Sequence, residues 1–168
     1  NNAICGNAYV NTNPDSQNGV ERPQPPAGNC DIGSFEYYNT PPTGGNGTVT
    51  TTEDTLYTFT VADFTTLTVP AYADVDSDAF AGIRVTSLET AGTLQCGGVD
   101  VLLNGTCADV TTLTFLPALD AIGSPYASFG FQVFDSKEYS LASYTMTVNV
   151  TAVNDPPAGT DNTITINE

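Results

Sequence analysis

The segment that decides the fold is YTMTVNVT, residues 144–151, in which apolar and polar side chains alternate without interruption. Strict alternation is typical of a β-strand with one buried face, because successive side chains point to opposite sides of a sheet. Tyr57, Phe59 and Val61 alternate with threonines in the same way. The sequence therefore predicts half-buried strands near both ends of the region 48–153.

Between these two segments, short runs of apolar and β-branched residues are separated by turn-forming residues, and helix-favouring Glu, Lys and Arg are scarce. The further candidate strands are 67–69, 83–88, 99–103, 113–116 and 128–134. About seven strands in roughly 110 residues is the pattern of an antiparallel immunoglobulin-like β-sandwich. The predicted fold class is therefore all-β, with the sandwich in residues 41–157.

The end of the chain repeats the beginning of this domain. PPAGTDNTITINE (156–168) follows the pattern of PPTGGNGTVTTTE (41–53) at a constant offset. A lone strand cannot bury its apolar face, so residues 158–168 are predicted either to open a further covalent repeat or to be donated to an identical subunit of a filament. We favour the covalent array, because residues 48–53 already supply the first strand of the complete domain. The strand contacts are expected from Thr163, Ile164, Thr165, Ile166 and Glu168.

The charge balance limits the possible partners. Three basic residues against nineteen acidic ones give a net charge of −16, and histidine is absent. Such a charge repels nucleic acid and anionic membranes and attracts divalent cations. The absence of histidine excludes His-based catalytic triads and His metal sites. No apolar run approaches the roughly 20 residues of a transmembrane helix, so membrane insertion is not expected.

The four cysteines lack the CxxC spacing of metal and redox sites and form two local pairs, Cys5 with Cys30 and Cys96 with Cys107. This usage favours disulfides in an oxidising, extracellular compartment. Cys96 and Cys107 are too close in sequence for the inter-sheet disulfide of antibody domains. They flank an Asn104-Gly105 turn, so a local clip on one hairpin is predicted.

Residues 1–40 contain few apolar residues and carry a recognisable signature near their end. ERP at 21–23 followed by CDIGSFEY at 30–37 resembles the closing segment of bacterial secreted right-handed parallel β-helix proteins. The resemblance implies that residues 1–40 are the last coil and cap of a β-helix, and the Cys5–Cys30 disulfide would staple it.

Asp74-Val75-Asp76-Ser77-Asp78 places three carboxylates at alternate positions, so their oxygens can converge on one hard cation when the segment forms a loop. It lacks the glycine and the closing glutamate of an EF-hand, and a solvated acidic loop is the alternative. Further polar residues follow predicted strands, and strand ends of a sandwich gather at its two poles.

Several segments together resemble the cadherin-like repeats of large bacterial surface proteins. They are EDT (53–55), ADVDSDAF (73–80), residues 92–94, 113–117 and 131–135, and VTAVNDPP (150–157). The resemblance implies calcium between successive domains. Carried over by position, it implies an upper site of Asp74, Asp76 and Asp135 with Asn39 from the preceding linker, and a lower site of Glu53, Asp120, Asn154 and Asp155. Thr40 stands where the later copy has Asp155, which weakens the upper site, while Asp54 and Asp78 either substitute as ligands or are solvated.

The sequence thus predicts a non-catalytic stalk or adhesin module on a bacterial cell surface, with calcium as its cofactor and neighbouring repeats as its partners. The alternative is a filament subunit assembled by strand donation. An enzyme that processes polysaccharides is disfavoured, because no acid is marked as a raised-pKa catalytic group. A glycan or cell-surface ligand bound through tyrosines is a further, less favoured alternative.

Overall fold

The structure is a computed structural model that describes residues 39–157, 159, 164 and 165. The chain divides into two units, Asn1–Asn39 and Thr40–Glu168, and all described strands and helices belong to the second. The predicted β-helix cap, the Cys5–Cys30 pair, Thr163, Ile166 and Glu168 lie outside the described residues and stay predictions.

Strands dominate the second unit. The nine strands of the described residues are β1 (Gly47–Thr52), β2 (Tyr57–Thr58), β3 (Gly82–Ser87), β4 (Thr93–Cys96), β5 (Val99–Asp100), β6 (Thr106–Cys107), β7 (Leu113–Leu116), β8 (Gly123–Phe134) and β9 (Tyr144–Thr151). A four-residue helix, α1 (Val61–Phe64), and a 3-10 turn (Val110–Thr112) complete the elements. None of the described helices is long and apolar enough to cross a membrane. The all-β prediction is confirmed.

The strands form two sheets. One has five strands in the order β1-β9-β8-β3-β6, and the other has four in the order β2-β7-β4-β5. All the strand pairs within the described sheets are antiparallel except β1 and β9, which run parallel with Gly47 opposite Met146 and Thr52 opposite Thr151.

Side chains from both sheets share one hydrophobic core. Leu94 and Phe115 of the four-stranded sheet and Phe131 and Val148 of the five-stranded sheet are fully buried within it. The alternation predicted for residues 144–151 is confirmed, since the apolar side chains Met146, Val148 and Val150 are buried and the intervening polar ones are not. The period-two pattern therefore marks the face of β9 that packs inward.

Three predicted strands are wrong or shortened. The predicted strand 99–103 is limited to Val99 and Asp100. The alternating run 57–61 ends as a strand at Thr58, because Thr60 opens α1 with a capping box. The Asp63 carboxylate accepts from the Thr60 backbone N–H at 2.8 Å and from its hydroxyl at 3.0 Å, which satisfies donors at the helix start. Residues 67–69 form no strand and make only an isolated bridge between Val69 and Asn46.

The Cys96–Cys107 disulfide is present, with its Cα atoms 6.0 Å apart, but it does not clip one hairpin. Cys96 ends β4 in the four-stranded sheet, and Cys107 ends β6 in the five-stranded sheet. The chain crosses between sheets over this short distance because the Val101 N–H binds the Leu94 carbonyl of β4, and the Asn104 N–H then binds the Val85 carbonyl of β3. The pairing of Cys96 with Cys107 is as predicted, and the predicted clip on one hairpin is wrong.

Candidate functional site

The strand registers place the predicted site residues at opposite ends of the five-stranded sheet. β1 and β9 run in the same direction and β8 runs against them. We call the end where β1 and β9 begin and β8 ends the entry end, and the opposite end the exit end. Asp135 follows β8 at the entry end, and Glu53 follows β1 at the exit end. The eight residues of β9 separate the two ends by about 25 Å.

At the entry end, the segment Asp74–Asp78 forms a closed loop. Oδ1 of Asp74 accepts from the backbone N–H of Asp76 at 2.8 Å and from that of Asp78 at 3.0 Å. One carboxylate oxygen from each of the three aspartates lies within 4.8 Å of the others. The convergence predicted from their alternate spacing is therefore present, and it includes Asp78 as well as Asp74 and Asp76.

One oxygen in this acid loop (residues 74–78) stands out. Oδ2 of Asp74 is buried, and no hydrogen-bond donor of the described residues reaches it. Buried polar atoms are normally satisfied by hydrogen bonds, by water or by an ion. An anionic oxygen in this position is suited to a hard cation, which takes several carboxylate and carbonyl oxygens as ligands.

Asp135 lies close to the acid loop, and in addition to burial, its charge and those of the loop raise the pKa of the same tyrosine, Tyr72. Its side chain is almost fully buried, and its Oδ1 accepts from the backbone N–H groups of Lys137 at 2.7 Å and Glu138 at 2.6 Å. Burial, followed by the charges of Asp74, Asp135 and Asp78, raises the pKa of the Tyr72 phenol to about 12. Lys137 links Asp135 to the loop, since its backbone N–H binds Asp135 and its Nζ binds Asp78, so the structure brings Asp135 together with the loop.

Two further contacts were not expected from the sequence. Lys137 Nζ lies 2.7 Å from Oδ2 of Asp78, and so places a positive charge beside the acid loop. The backbone N–H of Thr40 donates to Oδ2 of Asp76 at 2.6 Å, which fixes the chain as it enters the domain. Asn39 belongs to the other unit of the chain, so its role as a ligand stays a prediction.

The exit end is built differently. Glu53 is buried, and its Oε1 accepts from the backbone N–H of Val153 at 2.7 Å. Asp120 lies beside Asp54, whose Oδ1 accepts its backbone N–H at 3.1 Å. The structure therefore brings Glu53 close to the departing chain and pairs Asp120 with Asp54.

Asn154 and Asp155 are exposed at this exit end, where the Asn154 side-chain amide donates to the Asp155 carbonyl at 3.3 Å. Among the described residues, the exit end forms no group of three carboxylates as compact as the acid loop.

Asp74→Asn is expected to lower the pKa of Tyr72 below its value of about 12, because one of the charges that hold the phenol protonated is lost. Tyr57 is the matched control, since burial and the charge of Asp63 raise its pKa to about 12. An alkaline titration followed by NMR of the tyrosine rings measures both. An equal change in the pKa values of Tyr57 and Tyr72 would contradict a local effect.

The two tyrosines also make stability depend on pH. As both phenols have raised pKa values, their contribution to stability is complete below about pH 10 and is lost as the pH rises towards 12.

The entry end brings together groups that could hold a metal ion. These are the three converging aspartates, with one buried oxygen, Oδ2 of Asp74, that has no hydrogen-bond partner among the described residues. Carboxylate oxygens are ligands that hard cations such as calcium accept. Histidine, the usual general base, is absent from the chain. Comparison of the chain with protein-family models, with curated proteins and with solved structures gave no match.

Proposed function

We propose that this chain is a non-catalytic structural module of an extracellular bacterial surface protein. Its second unit would be a cadherin-like, immunoglobulin-like β-sandwich whose junctions with neighbouring domains are stiffened by calcium. The observation that carries this proposal is the concentration of acidic groups at the two ends of the five-stranded sheet, where the chain enters at Thr40 and leaves at Asp155. A disulfide between Cys96 and Cys107 is in keeping with an oxidising compartment.

The sandwich assignment draws on the packing of the two sheets. Phe59, beside β2, meets Phe129 of β8 with ring centroids 5.8 Å apart, so aromatic side chains interdigitate between the sheets. Inward-facing residues of two stacked sheets normally form such a core. The first strand pairing in parallel with the last, and the middle strands pairing antiparallel, are compatible with an immunoglobulin-like arrangement.

Calcium would act at the entry end by neutralising the acid loop and Asp135. Carboxylates within 4.8 Å of one another repel when no cation lies between them, although Lys137 offsets part of this repulsion at Asp78. Extracellular calcium modules bind at about 10⁻⁴ to 10⁻³ M, so millimolar calcium outside a cell would fill such a site. A filled site would tie the loop to the chain segment that begins at Thr40 and restrict its motion.

Millimolar calcium is expected to raise the melting temperature by roughly 5 °C over that in chelator, because a ligand at ten times its dissociation constant contributes about 1.4 kcal/mol. Asp135→Asn and Asp74→Asn should each reduce this increment while leaving the melting temperature in chelator little changed. At both positions, asparagine retains the Oδ1 atom that accepts hydrogen bonds from backbone N–H groups. Differential scanning calorimetry of the unmodified protein and of both variants, each in calcium and in chelator, measures the increments.

Asp100→Asn provides the matched control for the loss of one negative charge. Asp100 lies on β5 at the edge of the four-stranded sheet and accepts from the side chain of Gln95 at 2.8 Å. This variant should keep the full calcium increment. Equal melting temperatures of the unmodified protein in calcium and in chelator would overturn the proposal.

The terminal segment supports a partner beyond this domain. Ile164 is 79% exposed, and neither it nor Thr165 belongs to a strand. An exposed apolar residue in a segment that repeats the pattern of β1 is suited to a neighbour, either the next repeat of a covalent array or another subunit that receives a donated strand. The mass of the native polypeptide distinguishes the two, because only the array requires a chain much longer than 17.5 kDa.

A further inference from the structure

The five-stranded sheet is almost free of charge in a chain that carries −16. Its strands contain a single charged residue, Arg84 on β3. Across the outward face, Thr48 of β1 lies opposite Thr147 of β9, which in turn lies opposite Ser128 of β8. This face therefore presents hydroxyl and amide groups with one guanidinium among them.

Arg84 is held in a fixed position on this face. Its Nε and Nη2 donate to Oε1 of Gln132 at 3.2 and 2.6 Å, and its guanidinium carbon lies 4.2 Å from the centroid of the Tyr139 ring. Gln132 is itself anchored, since its Nε2 donates to the Ser140 carbonyl at 2.6 Å. Phe134 stacks on Tyr139 with centroids 4.5 Å apart. Gln132 and Tyr139 thus hold the guanidinium, and their own contacts with Ser140 and Phe134 hold them in turn, so the position of the guanidinium is fixed before any ligand binds.

Arg84 has no acidic partner among the described residues. The salt bridge found among the described residues joins Lys137 to Asp78, whereas the Arg84 guanidinium hydrogen-bonds to Gln132 and lies over the Tyr139 ring. A guanidinium has five N–H donors in one plane, and those on the edge away from Gln132 are left for an external acceptor. A carboxylate matches that edge with two parallel hydrogen bonds.

We propose that Arg84, together with Gln132 and the hydroxyls around it, binds the carboxylate of an acidic sugar in a glycan. The neighbouring side chains favour a sugar over an acidic peptide, because threonine, serine and amide groups pair with sugar hydroxyls. Arg84 and Phe134 both pack against the Tyr139 ring, which reduces the ring surface left for an apolar side chain.

The test uses short oligogalacturonate with the full chain, in chelator so that calcium cannot bridge the two. Binding is followed by NMR of backbone amides, with the methyl ester of the same oligosaccharide as the uncharged partner and oligoglutamate as the peptide partner. Shifts at Arg84, Gln132 and Thr106, which lies opposite Arg84 on β6, are expected with the acid form. Affinity for the ester should be at least about tenfold lower.

Arg84→Gln should abolish the response, and Arg84→Lys should weaken it about tenfold although the charge is kept, because an ammonium cannot form the planar pair. Asp100→Asn, which changes the net charge by one unit elsewhere, should leave it unchanged. Equal binding of acid and ester, full binding by Arg84→Lys, or no binding at all would each overturn the proposal. Equal or tighter binding of oligoglutamate through Arg84 would overturn the assignment to a sugar. Since calcium is absent throughout, failure here leaves the calcium proposal standing.

Discussion

Gly82→Ala is expected to lower the free energy of unfolding by about 4 kcal/mol, through backbone strain and overpacking together. Gly82 opens β3 with φ at +134°, a conformation that side chains disfavour. A Cβ at this position would lie 2.7 Å from both Ala108 Cα and the Cys107 carbonyl oxygen. Both are backbone atoms beside β6, so neither can move aside as a flexible side chain would.

Gly97→Ala is the matched control for this substitution. Gly97 also has a positive φ, +60°, but no atom lies within 4 Å of the place that an alanine methyl group would occupy. The control should therefore lose only about 1 kcal/mol, the cost of the conformation alone. Urea denaturation measures both variants, and equal losses would show that the close approach of β6 is unimportant. Because Gly82 lies opposite Phe134, the residue before Asp135, its replacement should also reduce the calcium increment.

Replacing both Cys96 and Cys107 with alanine is expected to lower the free energy of unfolding by about 3 kcal/mol. The disulfide closes a loop with a sequence separation of 11, and the chain-entropy relation gives roughly this value for such a loop. Loss of the bond should destabilise both sheets, since it joins the end of β4 to the end of β6. Denaturant unfolding combined with amide hydrogen exchange would measure the size and the spread of the effect.

The unmodified protein in reductant provides an independent comparison with the double variant. Reductant should destabilise the unmodified protein to a similar extent and should have a much smaller effect on the variant at this site. A variant as stable as the unmodified protein would show that the link between the sheets is redundant. Faster exchange confined to residues 97–106 would mean that the bond acts on its own loop only.

Local pattern predicted the strands well where burial alone determines them. In β9 the alternation of Met146, Val148 and Val150 with polar residues follows directly from one buried face. It failed at 59–61, where the capping box of Thr60 and Asp63 ends the strand. Alternation of apolar and polar residues shows which face of a strand is buried. It does not show that a helix begins within the same residues.

The candidate site shows the same division. The convergence of Asp74, Asp76 and Asp78 depends on a five-residue loop, so spacing was sufficient to predict it. The contact of Lys137 with Asp78 spans 59 positions, and that of Glu53 with Val153 spans 100. Both contacts depend on which strands are neighbours and on their register. The inter-sheet disulfide depends on the same strand arrangement. A single sequence does not contain that pairing, although Lys137 could have been suspected as one of only three basic residues.

The parallel pairing of β1 with β9 determines how the domain would carry tension. The first and last strands lie side by side over six aligned pairs, and the chain enters at one end of this ladder and leaves at the other. A force applied through the two chain ends would therefore pull the strands along their length in opposite directions. Their hydrogen bonds would be loaded together in shear, not opened one after another as in a zipper. A module built in this way would resist stretching between its two chain ends.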